Sequence, residues 1–270
     1  MRPVRELTAT QARGTRILFT DIDGTVTDET GRIPASVFTT LEAAQHVGLT
    51  VIPVTGRPAG WCDMIARTWP VTGVVGENGG LFFRRGEGEG KGPDARMERI
   101  YAQDEATRVA NRERLSQLAK KVLAAFPGAA LASDQQYRAF DIAVDFCEDV
   151  PRLPEEAITG IVSFLEGAGC HVKVSDIHIN AWFGEFDKAS MCRRVGELFG
   201  LDLLGEDAEA AVYFGDSPND APLFAAFPLA IGVANVRALA HRVATLPAFV
   251  TDGRGCEGFV EGVTHLLSLR

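Results

Sequence analysis

The chain has 270 residues, of which 46% are apolar and 23% are charged, and these proportions exclude disorder as its main state. Its 27 basic and 36 acidic side chains leave a formal net charge of −9, which argues against nucleic acids and anionic membranes as partners. No apolar run approaches the roughly 18 residues of a transmembrane helix, and no secretory signal is seen at the start. The 5 cysteines contain no CxxC pair and are typical of reduced thiols, so we expect a cytoplasmic protein.

The first part of the chain alternates between strand and helix patterns. Residues 1–14 are polar and have no usable period, and we expect a flexible tail there. Continuous apolar runs follow, of the kind found in strands that are buried on both faces of a parallel sheet. They lie at 17–20, 51–54 and 74–75. Helical spacing between the first two runs, from Pro34 to Gly48, completes a strand–helix–strand order that predicts a parallel sheet with right-handed crossovers.

The pattern changes in the middle of the chain. A Gly-rich, charged loop at 86–94 precedes a long helix candidate at about 104–126. Two strand candidates, a second helix and two more strand candidates follow, so this part contains helix–strand–strand twice over. The run at 139–146 alternates with a period of two, which is typical of a half-exposed antiparallel sheet.

After Lys188 the first pattern returns, with a helix, two apolar strands and a last helix around 256–268. The fold class predicted is α/β. Residues 15–84 and 186–270 form a Rossmann-like parallel sheet core, and residues 85–185 form an inserted α+β cap domain.

Polar residues follow the carboxyl ends of the predicted parallel strands, where open α/β sheets bind ligands. These segments are Asp21-Ile22-Asp23-Gly24-Thr25, Thr55-Gly56-Arg57 and Gly215-Asp216-Ser217-Pro218-Asn219-Asp220, and Lys188 begins the helix after the insertion. Carboxylates that meet at one sheet edge repel each other, and a hard divalent cation such as Mg²⁺ resolves that conflict. A hydroxyl and an ammonium beside the metal can hold an anion, and this combination indicates phosphoryl transfer.

These four motifs, in this order, resemble those of the haloacid dehalogenase-like hydrolase superfamily. The run Phe186-Asp187-Lys188 and the closing Thr251-Asp252-Gly253 are similar to its Cof-like and sucrose-phosphatase-like branch. The resemblance implies a core with a large α/β cap between the second and third motifs. A cap of that size closes over the site and favours small substrates.

The resemblance also implies a role for each residue that handles the phosphoryl group. Asp21 would be the nucleophile that forms an aspartyl-phosphate. Asp23 would protonate the leaving oxygen and then activate water. Thr55, Gly56 and Lys188 would bind the phosphoryl oxygens, and the ammonium would also offset the charge on Asp21.

A second group of positions would hold the metal ion. By the same resemblance, Asp216 would bind Mg²⁺ together with Asp21 and the main-chain carbonyl of Asp23. Asp220 and Asn219 would orient the metal ligands without contacting the ion themselves. Asp23 is an acid at a position where the dehalogenases and transport ATPases of this superfamily have none. The resemblance therefore favours phosphatases and phosphomutases.

Three residues of the insertion are candidates for substrate contact. His178, Asn180 and Trp182 alternate along one strand candidate and therefore share one face of it. The alternative interpretation is a polar sheet face in water.

The predicted function is a Mg²⁺-dependent phosphatase that acts on a small phosphorylated metabolite, with a sugar phosphate as the expected substrate class. A phosphomutase of the phosphomannomutase type shares this layout and stays open as an alternative. A signalling receiver also uses clustered Asp, Thr and Lys side chains, but receivers lack both the Asp-x-Asp-Gly-Thr segment and an insertion of this size.

Overall fold

The computed structural model describes residues 1–86, 96–175 and 177–270, so most of the Gly-rich segment predicted as a loop at 86–94 lies outside the described residues. Its strands, in chain order, are β1 Arg2–Pro3, β2 Ile17–Thr20, β3 Thr50–Pro53, β4 Gly73–Gly76, β5 Leu81–Arg85, β6 Met97–Tyr101, β7 Ala130–Leu131, β8 Asp141–Asp145, β9 His171–Val174, β10 His178–Trp182, β11 Ala211–Gly215, β12 Leu229–Gly232 and β13 Phe249–Val250. Its α-helices are α1 Ala9–Gly14, α2 Ala35–His46, α3 Ala59–Thr68, α4 Glu105–Ala125, α5 Glu155–Gly167, α6 Lys188–Leu198, α7 Ala221–Ala226, α8 Val236–Leu239 and α9 Gly255–Ser268.

The largest sheet is parallel throughout and has the strand order β1-β13-β12-β11-β2-β3. A parallel bridge between Val54 and Val75 connects it to β4, which begins a three-stranded antiparallel sheet of order β4-β5-β6. The prediction of an α/β fold with a parallel sheet core is confirmed. We call the parallel sheet with α2, α3, α6, α7 and α9 the core.

Both faces of the parallel sheet are covered, as the continuous apolar runs predict. On β2, Leu18 points to the side on which α2 and α9 pack, whereas Ile17 and Phe19 point to the side of α6 and α7. Since every residue of β2 and β11 is buried, these strands have no solvent-exposed face. The polar groups at their carboxyl ends are therefore held on a rigid support.

A separate antiparallel sheet of order β7-β8-β10-β9 is formed by the middle of the chain. With α4 and α5, which pack on one of its faces, we call it the inserted layer. In β8, Ile142 and Val144 contact the α4 and α5 side, and the period of two is confirmed. The expectation that the opposite face is half-exposed is wrong, because all of Asp141–Asp145 is buried. That face is turned toward the core instead of toward water.

The expectation of a flexible tail at residues 1–14 is also wrong. Strand β1 pairs in parallel with β13, with Arg2 opposite Phe249 and Pro3 opposite Val250. Thr8 begins α1 with a capping box that includes Gln11. Buried apolar side chains in this segment, from Val4, Leu7 and Ala12, join the core. A two-residue strand and a six-residue helix are too short to show a period in the sequence, so these elements leave no pattern that predicts them.

Two expectations drawn from composition can be compared with the structure. Among the helices of the described residues, none combines the length and the apolar character that crossing a bilayer requires. No disulfide joins any of the cysteines, all of which lie within the described residues.

Candidate active site

The predicted motif residues meet at the carboxyl edge of the parallel sheet. Asp21 directly follows β2, Thr55 follows β3 and Asp216 follows β11. Because β2 lies between β3 and β11, Asp21 occupies the middle of this edge. Lys188, the first residue of α6, brings its ammonium to the same point, with Nζ 2.7 Å from Oδ1 of Asp21.

Asp21 is a buried carboxylate among other acids. Burial raises its pKa to about 7, Lys188 opposes this increase, and the charges of Asp220 and Asp23 reinforce it. The main-chain N–H of Asp21 donates to the carbonyl of Phe214 at 2.8 Å, which holds the residue against β11. An ionised carboxylate here needs more positive charge than one lysine supplies.

Lys188 is held by the way in which its helix begins. Asp187 accepts from the backbone N–H of Ser190 at 2.7 Å in a capping box, so α6 starts at a defined residue. A Cβ on Gly79 would lie 2.0 Å from the carbonyl oxygen of Asp187, and the φ of Gly79 is +99°. Glycine is required at this position because the start of α6 contacts the loop after β4 directly. The charges of Asp21 and Asp220 raise the pKa of Lys188 despite its burial, so the ammonium stays charged.

Asp220 is fully buried and has its oxygens occupied. Oδ1 accepts from the hydroxyl of Tyr213 at 2.6 Å and lies 3.4 Å from Nζ of Lys188. Oδ2 accepts from the backbone N–H groups of Asp216 at 3.0 Å and of Ser217 at 3.1 Å. The side chain therefore shapes the loop that carries Asp216, which supports the expected positioning role. Asn219 of the same loop points elsewhere, and its Nδ2 donates to the carbonyl of Val174 in the inserted layer at 3.3 Å.

The carboxylates form a cluster that could hold a divalent metal ion. Oxygen atoms of Asp21, Asp216 and Asp220 lie within 4.8 Å of one another. A Cβ on Gly24 would lie 2.5 Å from Oδ2 of Asp216, so the absence of a side chain at 24 gives Asp216 its place. Hard oxygen donors are the ligands that small divalent cations take, and the donor set fits such an ion. Asp21 and Asp216 directly follow neighbouring strands at this edge and could contact the ion, while Asp220 holds the loop of Asp216 from within the protein.

Asp23 is exposed at the mouth of the site and is paired with an arginine. Nε of Arg57 donates to Oδ2 of Asp23 at 3.1 Å, and a second guanidinium nitrogen contacts Oδ1. The guanidinium also stacks on the ring of Trp61, 4.4 Å from its centroid. Thr55 is buried, and its Oγ1 accepts from the backbone N–H of Arg57 at 3.1 Å. Arg57 belongs to the motif Thr55-Gly56-Arg57, but the motif alone predicts no role for it. The signal was its place two residues after Thr55, at the same strand end.

The inserted layer turns one face toward this site. His178, Asn180 and Trp182 all lie on the face opposite α4 and α5 and are buried there. Nδ2 of Asn180 donates to Oδ2 of Asp141 at 2.9 Å, and Nε2 of His178 lies 2.8 Å from Oε2 of Glu148. These two side chains lie above the core.

Trp182 has a different environment from its two neighbours on β10. Its ring stacks on Phe186 with centroids 5.8 Å apart, and Phe186 in turn contacts Phe140. Trp182 thus belongs to the hydrophobic contact between the inserted layer and the core. We assign it to packing there and no longer to substrate contact.

Buried charges join the inserted layer to the core. Nη1 of Arg138 donates to the carbonyl of Gly56 at 3.2 Å and to Oδ1 of Asp141 at 3.0 Å. The carboxylate of Glu77 accepts from the backbone N–H groups of Ala59 at 2.8 Å in the core and of Phe140 at 2.6 Å in the inserted layer. We call Glu77, Arg138 and Asp141 the seam.

Glu77 has an unusual environment within the seam. Burial raises its pKa to about 7, and the charge of Asp141 adds to this effect, while the backbone donors oppose it. Its φ of 45° is rare for a residue with a side chain. The sequence motifs do not predict the seam, although an acid directly after an apolar strand is a visible signal.

Comparison with known proteins finds a family pattern in the first part of the core. The sequence pattern of the family described as haloacid dehalogenase-like hydrolase matches residues 18–89, which contain Asp21, Asp23 and Thr55. Over these residues the chain is similar to the haloacid dehalogenase-like hydrolases.

Relatives of this hydrolase match it over nearly its whole length. It is 26% identical to a phosphoglycolate phosphatase of Methanothermobacter thermautotrophicus, over 93% of this chain and 99% of the relative. It is 28% identical to a phosphoglycolate phosphatase of Methanospirillum hungatei, over 91% of this chain and 94% of the relative. The prediction of a phosphoric monoester hydrolase is confirmed.

Solved structures share the fold of the hydrolase. A protein of Thermoplasma acidophilum superposes with a TM-score of 0.71 at 19% identity and covers 95% of this chain and 99% of its own. The sucrose-phosphatase of Synechocystis, solved with sucrose and phosphate, superposes with a TM-score of 0.64 at 14% identity, over 93% of this chain and 98% of its own. At these identities the likeness concerns the fold alone.

Proposed function

We propose that this hydrolase is a Mg²⁺-dependent phosphatase that releases phosphate from a small metabolite through an aspartyl-phosphate on Asp21. The observation that carries the proposal is the contact of Asp21 with Lys188, at 2.7 Å, inside a cluster that also contains Asp216. A nucleophilic carboxylate, a fixed ammonium and a cation site next to each other are what phosphoryl transfer to an aspartate requires.

The first step transfers the phosphoryl group to the enzyme. A carboxylate oxygen of Asp21 forms a bond to phosphorus while the bond from phosphorus to the ester oxygen breaks. Asp23 gives its proton to that oxygen, so that the leaving group departs as an alcohol. Lys188 and the loop of Thr55 and Gly56 hold the phosphoryl oxygens in place. Mg²⁺ held by Asp21 and Asp216 would supply the positive charge that lowers repulsion between the phosphate and the carboxylates.

The second step regenerates Asp21. Asp23, now ionised, takes a proton from water, whose oxygen attacks phosphorus and displaces the carboxylate of Asp21. Nε of Arg57 donates to Oδ2 of Asp23 at 3.1 Å, and this contact orients the carboxylate at the mouth of the site. Asp23 has to reach the ester oxygen in the first step, so we expect the contact between the two side chains to loosen when substrate enters.

The relatives support hydrolysis and suggest which leaving groups to test. Relatives that match more than nine-tenths of the chain are named phosphoglycolate phosphatases, and a structural neighbour is a sucrose-phosphatase. We therefore propose a small phosphorylated metabolite as the substrate, with a sugar or a short hydroxy acid as its leaving group. A phosphomutase has no comparable support from these relatives. The reduced thiols favour the cytoplasm as the location.

The decisive experiment measures phosphate release from a panel of sugar and hydroxy-acid phosphates. We expect release that chelation with EDTA abolishes and that added Mg²⁺ restores, because Asp21 and Asp216 repel each other without a cation. Interconversion of hexose 1- and 6-phosphates without phosphate release would show a mutase instead.

Asp21→Asn is the matching variant for the nucleophile. An amide oxygen cannot form the acyl phosphate, so we expect turnover to fall at least about a thousandfold while the thermal unfolding temperature changes little. The control is Asp202→Asn, an exposed aspartate in the loop before β11, at the opposite edge of the sheet. Turnover by Asp21→Asn close to that of the control would contradict the assignment of the nucleophile.

A further inference from the structure

Two contacts define how the inserted layer lies over the active site. On one side, Arg138 of the layer binds the carbonyl of Gly56 in the loop after β3. On the other side, Asn219 in the loop after β11 binds the carbonyl of Val174 at the end of β9. Asp21 follows β2, which lies between β3 and β11. The layer therefore spans the nucleophile from one neighbouring strand end to the other.

The register of the layer shows which side chains face down onto the site. Asn180 on β10 is the direct partner of Lys173 on β9, and cross-strand partners lie on the same face. The neighbours Val172 and Ile179 pack on the α4 and α5 side, so Asn180 and Lys173 are on the face turned to the core. His171 stacks on Trp182 of the same face, with centroids 6.0 Å apart, which agrees with this register.

The acids on this face already have donors. Asp141 pairs with Arg138, with Oδ1 3.0 Å from Nη1. Asp145 accepts from three backbone N–H groups, those of residues 147, 148 and 149, at 2.7–2.8 Å. Glu148 lies against His178 at 2.8 Å.

Lys173 differs from these groups. It is exposed, and among the described residues no carboxylate lies within ion-pair distance of its ammonium. It is also the sole lysine or arginine on the core-facing side of β8, β9 and β10. An exposed ammonium that has no carboxylate partner among the described residues, and whose neighbour Val174 contacts the loop of Asp216, is suited to receive an anion from the substrate.

We propose that Lys173, with Asn180 beside it, binds a carboxylate of the leaving group and selects phosphomonoesters of short hydroxy acids. This assignment rests on the proposed phosphatase function. The phosphoryl group occupies the floor of the site at Asp21 and Lys188, and Lys173 holds the far end of the substrate under the inserted layer. A neutral sugar offers no charge for this ammonium, so hydroxy-acid esters gain over sugar phosphates.

The test compares two esters that differ in a single group. 2-Phosphoglycolate carries a carboxylate where 2-hydroxyethyl phosphate carries a hydroxymethyl group. The quantity measured is the ratio of kcat/KM for the first ester to kcat/KM for the second, with Mg²⁺ present. In Lys173→Gln we expect this ratio to fall about 10- to 100-fold, mainly through KM, as for the loss of one charged hydrogen bond. Lys173→Arg should keep most of the ratio.

A charge-reversed variant tests the same contact from the other direction. Lys173→Glu should disfavour 2-phosphoglycolate and favour 2-aminoethyl phosphate, whose ammonium replaces the carboxylate. Lys121→Gln is the matched control, because Lys121 is an exposed lysine on α4, on the other side of the inserted layer. This control should leave the ratio as it is in the unaltered protein.

The outcomes separate the two proposals. Suppose that the protein hydrolyses these esters while Lys173→Gln leaves the ratio unaltered and Lys173→Glu leaves the preference unchanged. That result would overturn the role of Lys173 but leave the proposed phosphatase function standing. Failure of the unaltered protein to release phosphate from either ester and from p-nitrophenyl phosphate would overturn the proposed function, and the role of Lys173 with it.

Discussion

At Gly24 a single missing side chain shapes the metal site. The residue adopts a φ of +79°, and a Cβ there would meet Oδ2 of Asp216 at 2.5 Å. Backbone conformation and space therefore both require glycine, although only the second requirement concerns the function. Gly31 has nearly the same φ, +78°, but nothing lies within 4 Å of its Cβ position.

This pair of glycines gives a matched test. Gly24→Ala and Gly31→Ala should each lower the free energy of unfolding by about 1 kcal/mol, because alanine is strained at positive φ. Gly24→Ala alone should also weaken Mg²⁺ binding, at least about tenfold, by displacing Asp216. Chemical denaturation measures the first effect, and the Mg²⁺ concentration for half-maximal phosphate release measures the second. Equal Mg²⁺ requirements in the two variants would contradict the role given to Gly24.

Sequence patterns predict this site in part, and the reason differs from residue to residue. Asp21, Thr55 and Asp216 follow strands that the apolar runs reveal, so topology alone brings them to one edge. The pairing of Arg57 with Asp23 depends on side-chain direction within a loop, which no period in the sequence records. The seam depends on how the inserted layer docks on the core, and its contacts join residues such as Glu77 and Phe140 that no local pattern relates.

At the scale of elements, the beginning of the chain completes the core. Strand β1 covers the edge of β13, and Val4 and Leu7 are buried beside it. Without β1, the backbone groups of β13 on that side would be unpaired, and an open strand edge promotes association between molecules. Residues 1–7 are mostly polar, but they stabilise the core through two buried side chains.

Removal of residues 1–7 should therefore destabilise the protein. Burial of Val4 and Leu7 is worth about 1.5–3 kcal/mol each, so we expect a loss of roughly 3–6 kcal/mol in the free energy of unfolding. Urea denaturation measures it, and light scattering should show association. The control is Arg5→Ala, which removes an exposed side chain 3.8 Å from Asp252 and should change stability little. If the shortened chain and this control have the same free energy of unfolding, the segment is dispensable for stability.

The strands of the inserted layer illustrate a different limit of sequence patterns. The alternation in β8 predicts its period and its helix-facing side chains. It does not distinguish a polar face in water from a polar face covered by another part of the same chain. Here Asp141 and Asp145 are buried by the core, and hydrogen bonds from Arg138, Asn180 and backbone N–H groups satisfy them.

At the scale of the whole molecule, the seam fastens the inserted layer to the core on the side of β3. Glu77 accepts from both parts at once, and Arg138 contacts both as well. The contact of Asn219 with Val174, on the side of β11, is by comparison one hydrogen bond between partly exposed groups. We expect the layer to open on the β11 side, with the seam as the fixed side.

Glu77→Ala tests the seam. The backbone N–H groups of Ala59, Ala139 and Phe140 would lose their acceptor, and we expect the free energy of unfolding to fall by about 3 kcal/mol. Amide hydrogen exchange at Ala139 and Phe140 should accelerate more than exchange in β2. Glu98→Ala is the control, since this half-exposed acid pairs with Arg84 away from the seam. Exchange that increases equally in β2 and in the seam would indicate general destabilisation instead of a local fastening.

The strand order of the core also determines when, during synthesis, the catalytic groups first meet. Ile17 pairs with Ala211 and Arg2 with Phe249, whereas the strands of the inserted layer pair within residues 130–182. A ribosome that has passed Trp182 has synthesised every strand of the layer, whereas β2 has β3 beside it but not yet β11. Contacts between distant parts of a chain form slowly, and domains generally fold as units in the order in which they are made. We therefore expect the middle of the protein to fold first and the cluster of aspartates to come together only as translation ends.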